Sequence, residues 1–221
     1  MCSLRSRHFV QGNALGFWLV ALTALVAGAL LASLLLKPPD PPELSQGTTR
    51  LEPPRILQPF ELVDHRGAAF DMQRLQGRWT YLFFGYTHCP DVCPTTLSSL
   101  NQVARNIDGL PGDSEPQYVF VSIDPERDTP EQLAKFVPYF NPAFLGVTGA
   151  PDAIEAVTRQ LSVAYLKVEQ DRPDGYLMDH TAAVLLIDPR ARLHALMSLP
   201  FDPAGLAQDF AKLQRYYEAT L

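Results

Sequence analysis

Hydrophobic and polar positions divide the chain into three zones. No side chain from Phe9 to Leu36 is charged, and the part from Ala14 to Leu36 is almost wholly apolar. Crossing a bilayer takes about 20 such residues in a helix, so residues 14–36 are read as a transmembrane anchor. The alternative is a cleaved signal peptide ending at Ala27-Gly-Ala29, but signal peptides carry apolar cores of only about 7–15 residues. The second zone runs from Lys37-Pro-Pro-Asp-Pro-Pro42 to about Pro54. It is rich in proline and poor in apolar residues, which suits an extended spacer over residues 37–54. The third zone, residues 55–221, alternates short apolar runs with amphipathic ones.

Within that zone the period of the pattern assigns elements. Phe60 to Val63 and Phe70, joined by a turn at Gly67, read as a strand pair, and Thr80 to Tyr86 as a buried strand. Leu97, Leu100, Val103 and Ala104 recur at three- and four-residue steps, predicting a helix from about Cys93 to Ile107, ended by Gly109 and Pro111. Tyr118 to Ile123 is a continuous apolar strand of a sheet covered on both faces. Thr129 with Pro130 opens the next helix. A helix over Pro151 to Gln160, a strand over Val163 to Val168, strands over Thr181 to Ile187 and Leu193 to Met197, and a helix from Pro203 to Glu218 complete the chain. This order predicts an α/β domain of thioredoxin-like fold over residues 55–221.

Composition and charge narrow the function. With 47% hydrophobic and 19% charged residues in 221, the chain has material for one sizeable core. A net charge of −6 without any basic stripe argues against a nucleic-acid partner. Arg5 and Arg7 precede the anchor, so the positive-inside rule keeps residues 1–13 in the cytoplasm and sends the domain across. Met1 to Asn13 is short for a mitochondrial presequence, which favours a bacterial inner membrane with the domain in the periplasm. Cys2 stands on the far side of the anchor and precedes the apolar stretch, unlike the cysteine of a lipoprotein.

That leaves Cys89 and Cys93, between prolines where an apolar strand meets a helix start. A helix N-terminus carries roughly half a positive charge, which favours thiolate over thiol. Four residues apart on one helix face, the two sulfurs can share a metal ion or close a disulfide. Among the histidines, His8 lies beyond the anchor, His65 and His194 are read as solvated surface residues, and His88 as a local electrostatic influence. His180, in Asp179-His-Thr181 before a buried strand, faces the cysteine helix in a thioredoxin-like sheet. Disulfide reductases of that fold place a cis proline there, and this chain has none. Two thiolates and an imidazole form a soft set that suits Cu(I) and also holds Cu(II), one ion per chain. Zinc wants a fourth donor, with only Met178, His88 or water at hand, and iron–sulfur clusters want four cysteines. Asp91 and Asp179 flank the proposed ligands, placed either to raise the thiol pKa or to orient His180 through its second nitrogen. Asp124-Pro-Glu-Arg-Asp-Thr-Pro130 reads either as a helix-capping turn or as a partner-docking loop.

Three segments carry a resemblance: Phe84-Gly-Tyr-Thr-His-Cys-Pro-Asp-Val-Cys-Pro94, Val121-Ser-Ile-Asp-Pro-Glu-Arg-Asp-Thr-Pro130, and Asp179-His-Thr-Ala-Ala183 leading to Ile187-Asp-Pro189. In this order they resemble the Sco/SenC family of copper chaperones for cytochrome c oxidase assembly, from Pro54 to about Tyr217. The resemblance implies copper held by Cys89, Cys93 and His180. It also implies delivery to the CuA centre of cytochrome c oxidase subunit II, or reduction of that subunit's cysteines. A second periplasmic copper chaperone or a thiol reductase would be a further partner. The rival reading is a thiol-disulfide oxidoreductase in which Cys89 and Cys93 are the redox-active pair.

Overall fold

The computed structural model describes residues 14–35, 37, 39–108, 115–170 and 175–221. The expectations for Met1 to Asn13 with Cys2 and His8, and for the helix stop at Gly109 and Pro111, lie outside the described residues. The chain divides into two units, one holding the N-terminal helix and the other spanning Pro42–Glu218. Helix α1 (Ala14–Leu35) has 22 residues without a charged side chain. At 1.5 Å per residue it is about 33 Å long, a candidate transmembrane span.

The second unit is a mixed α/β fold around one eight-stranded sheet. Its strands are β1 (Thr48–Ile56), β2 (Glu61–Asp64), β3 (Ala69–Asp71), β4 (Thr80–Gly85), β5 (Gln117–Ser122), β6 (Leu145–Thr148), β9 (Ala183–Ile187) and β10 (Arg192–Ser198), in the order β1-β10-β9-β4-β5-β6-β2-β3. β4 pairs in parallel with β5 and antiparallel with β9, so it sits centrally, and all six of its residues are buried. Helices α2 (Met72–Leu75), α3 (Val92–Ile107), α4 (Pro130–Phe140), α5 (Pro151–Gln160) and α6 (Pro203–Ala219) accompany it. α4 begins as its sequence predicts: the Thr129 side chain accepts the N–H of Gln132, and Pro130 opens the helix. In α3 the buried stripe is Cys93, Thr96, Leu97, Leu100, Val103 and Ile107. Strands β7 (Tyr165–Glu169) and β8 (Tyr176–His180) form a separate antiparallel hairpin.

Three expectations change. The proline-rich stretch does not remain a spacer to residue 54, because Thr48–Ile56 pairs with β10 at the sheet edge, with a register shift between Arg50 and Arg55. Prolines that cannot donate to a ladder are tolerated on an edge strand, so Pro53 and Pro54 hide the strand without preventing it. Just before it, Ser45 N–H donates to Asp209 of α6 at 3.1 Å and Lys212 donates to the Glu43 carbonyl, so the fold takes hold well before residue 55. His194 is not solvated: it is 3% exposed, edge-on to Trp79 with ring centroids 5.2 Å apart. His65 is half-buried, its Nδ1 accepting the N–H of Gly146 at 2.9 Å. Strand β6 escapes the sequence pattern because its four residues include Gly146, where a methyl group would come within 2.9 Å of Leu133 and Val137.

Candidate metal centre

β4 delivers the chain to the carboxyl edge of the sheet, where open α/β folds place their sites. Its last residue, Gly85, is the floor of the centre: a Cβ there would lie 2.8 Å from Cys93 Sγ and 2.7 Å from the Phe120 ring. No side chain larger than hydrogen fits under the sulfur. The sequence signal was a glycine inside an apolar strand, which marks close approach of another group. The turn that follows is held from beneath by a fully buried carboxylate. Asp128 accepts the Thr87 N–H (2.8 Å), the Thr87 hydroxyl (2.6 Å) and the Ser122 hydroxyl (2.6 Å).

The cysteines do not share one helix face. α3 starts at Val92, so Cys93 lies in its first turn and Cys89 in the preceding turn. Cys89 Sγ accepts the Cys93 N–H at 3.4 Å, and the Asp91 side chain does not cap the helix. The sulfur itself therefore meets one of the unpaired N–H groups and the positive end of the dipole. His180 ends β8 and is no loop residue. Its Nε2 lies 3.6 Å from Cys93 Sγ, and its Nδ1 lies 3.1 Å from the Thr181 carbonyl. An Nδ1–H donated to that carbonyl leaves the Nε2 lone pair facing the sulfurs. The ring stands edge-on to Phe83 and Tyr86.

The donor atoms of Cys89, Cys93 and His180 all lie within 4.8 Å of one another. With bonds of about 2.0–2.3 Å, a trigonal donor set has edges of about 3.5–4 Å, so the 3.6 Å edge already fits an ion. A cavity of 230 Å³, lined among others by Tyr86, Cys89, Pro90, Met178 and His180, opens onto the donors. Met178, Asp91 and Asp179 also line this cavity, beside the cluster of three donors. His88 is turned toward Thr87 Oγ1 (3.1 Å) and lies outside the donor cluster. Asp179 is exposed at the rim of that cavity, and the Thr181 carbonyl, in its place, meets His180 Nδ1. Asp91 receives the Thr95 hydroxyl.

The thiols titrate apart. The proton of Cys93 aimed at Cys89 lowers Cys89 to about 4, and contacts from His180 and backbone N–H groups act in the same direction. The same proton, held against Cys89 in a buried site, pushes Cys93 far up. Reduced protein near neutral pH thus holds one thiolate and one thiol. In the metal-free reduced chain, Cys89 is expected to alkylate with iodoacetamide at a plateau rate by about pH 6, falling about tenfold per unit only below its pKa of about 4. Buried Cys93 is expected to stay unlabelled. Peptide mass spectrometry across pH checks this, and a Cys89 midpoint near the ordinary value of about 8.5 would contradict it.

Residues 48–215 match the SCO1/SenC family. A Rickettsia conorii SCO2-like protein is 34% identical over 184 residues, covering 83% of this chain and 89% of that protein. The mitochondrial SCO2 homologue of Bos taurus is 41% identical over 130 residues, 59% of this chain, and the match spans only 49% of the cattle protein. Among solved structures, copper-bound ScoI of Arabidopsis thaliana is 35% identical, covers 73% of this chain and 99% of that one, and superposes with a TM-score of 0.69. BsSco, described as carrying a disulfide switch and as one of the Sco family of cytochrome c oxidase assembly proteins, is 18% identical with a TM-score of 0.55, a likeness of fold alone.

Proposed function

Because the chain belongs to the SCO1/SenC family, whose members bind copper and take part in cytochrome c oxidase assembly, we propose that it is a membrane-anchored chaperone that delivers copper to the CuA centre of oxidase subunit II. The observation that carries this reading is the convergence of Cys89, Cys93 and His180 within 4.8 Å. Two soft sulfurs and one imidazole bind Cu(I) and leave one side of the ion open to an incoming ligand. Cys93 is fully buried, whereas Cys89 and His180 line the cavity, so a partner's donor meets the site from their side. Residues 14–36 hold the chaperone in a bacterial inner membrane, with residues 1–13 in the cytoplasm and the domain in the periplasm. There a second copper chaperone or a thiol reductase would load or reduce it.

The second reading, a thiol-disulfide oxidoreductase acting on the subunit's cysteines, draws on the low pKa of Cys89. Its thiolate attacks a target disulfide and forms a mixed disulfide. Cys93 then gives up its proton and displaces the reduced target, leaving Cys89 and Cys93 oxidised. His180 Nε2, 3.6 Å from Cys93 Sγ, is placed to take that proton.

A copper titration of the reduced full chain in detergent, under anaerobic conditions, tests the first reading. Wild type is expected to hold one ion per chain, and His180→Ala to bind at least about 10-fold more weakly, with both thiols still titratable. Wild type without copper, or a variant that matches wild type, sinks the assignment and leaves thiol-disulfide exchange.

A further inference from the structure

The hairpin that carries His180 shares no ladder with the main sheet. Its His180 end is tied by the chain to β9, three residues on, but no ladder with the sheet anchors its Tyr176 end, which side chains hold instead. Besides the Tyr86 hydroxyl, which meets the Met178 backbone, and the Cys93–His180 contact, the polar side-chain contacts of the hairpin converge on one loop, Asp124 to Asp128, directly after β5. Arg127 Nη1 donates to the Tyr176 carbonyl at 3.1 Å, and its guanidinium lies 3.5 Å from the Tyr176 ring centroid and 5.7 Å from that of Tyr86. Its Nε donates to Asp124, whose other carboxylate oxygen accepts the Tyr176 hydroxyl at 2.8 Å. Tyr176 and His180 are the first and last residues of β8, and period-2 alternation puts them on one face. The next residue of the loop, Asp128, is the carboxylate that pins Thr87 ahead of Cys89.

We infer that Arg127 is a positioning residue for the metal centre: by clamping Tyr176 it sets where His180 stands, while Asp128 beside it fixes the cysteine turn. One loop thus holds both halves of the donor set in register. The sequence reads this loop as either a helix-capping turn or a docking site; Asp124, Arg127 and Asp128 turn inward to the two donor-bearing elements. Metal–ligand distances fall within about 0.2 Å of their typical values, so a strand released at Tyr176 loses the imidazole while the thiolates remain. The inference rests on the reading of His180 as a ligand.

The test is a double-mutant cycle in the reduced full chain in detergent. Arg127→Ala is expected to weaken copper binding about 10–100-fold, as loss of an orienting partner does. It should also remove the nitrogen splitting from the Cu(II) electron paramagnetic resonance spectrum and leave the thiolate-to-copper absorption in place. Combined with His180→Ala, it should cost less than about twofold more, because the donor it positions is already gone. Equal losses in both backgrounds, or unchanged affinity and nitrogen splitting in Arg127→Ala alone, overturn the inference. If His180→Ala itself binds like wild type, the ligand reading has failed first. Should Arg127→Ala not fold by circular dichroism, Tyr176→Phe, which removes only the hydroxyl contact with Asp124, carries the same cycle with an expected loss of about fivefold.

Discussion

Cys93→Ser is expected to abolish stoichiometric copper binding, weakening affinity by at least about 100-fold, beyond the cost of disturbing an outer partner. The replacement is close to isosteric, which matters because the sulfur is fully buried against Gly85 and the Phe120 ring and a larger group would strain that floor. What changes is donor chemistry: a hydroxyl is hard and keeps its proton, whereas Cu(I) selects soft sulfur. The Ser hydroxyl still has a proton to donate toward Cys89, so the Cys89 thiolate should persist and its low-pH alkylation with it. Loss of copper with retained Cys89 reactivity would isolate the missing donor as the cause. The measurement is copper per chain after desalting, and a variant that keeps one ion per chain would remove Cys93 from the ligand set.

The candidate donors are legible in the sequence because each sits beside a strong pattern. Cys89 and Cys93 join a buried apolar strand to an amphipathic helix, and His180 precedes another buried run. Their geometry was less legible. A three-residue spacing suggested two cysteines on one helix face, while the chain places Cys89 one turn earlier, with its sulfur accepting the Cys93 N–H. The sequence pattern does not mark β8, because its five residues are mostly half-exposed and lack clean alternation, so His180 reads only as a residue ahead of the next buried strand. β1 was masked by its prolines. The residues that set the centre's precision, Gly85, Thr87, Arg127 and Asp128, act through contacts 3 to 49 positions apart in sequence, which no hydrophobic period encodes.

The largest loss of stability is expected at Asp188, outside the Cys89, Cys93 and His180 cluster and inside the turn between β9 and β10. Its carboxylate is fully buried. Oδ1 accepts the N–H groups of Arg190 (2.9 Å) and Arg192 (3.1 Å), and Oδ2 pairs with the Arg192 guanidinium at 2.7 Å and lies 3.5 Å from His194 Nδ1. Removing one partner of such a buried pair strands the others, and Asp188→Ala should cost about 3–5 kcal/mol. Asp188→Asn keeps an acceptor for the two N–H groups and should cost less. The two variants also differ from wild type in acid. Burial alone would raise the Asp188 pKa, but the contact with His194 and the hydrogen bonds from Arg192 override it and hold the group below its ordinary 3.8. A carboxylate with a lowered folded pKa contributes its stability above the unfolded value and loses it as pH falls through the folded one. The penalty of Asp188→Ala should therefore be complete at neutral pH and shrink only below about pH 4. Thermal unfolding of the full chain in detergent, followed by circular dichroism at pH 7 and through the acid limb, measures both effects. A variant that melts with wild type at neutral pH would mean that His194 and Arg192 find other partners, and that this buried ion pair does not hold the hairpin.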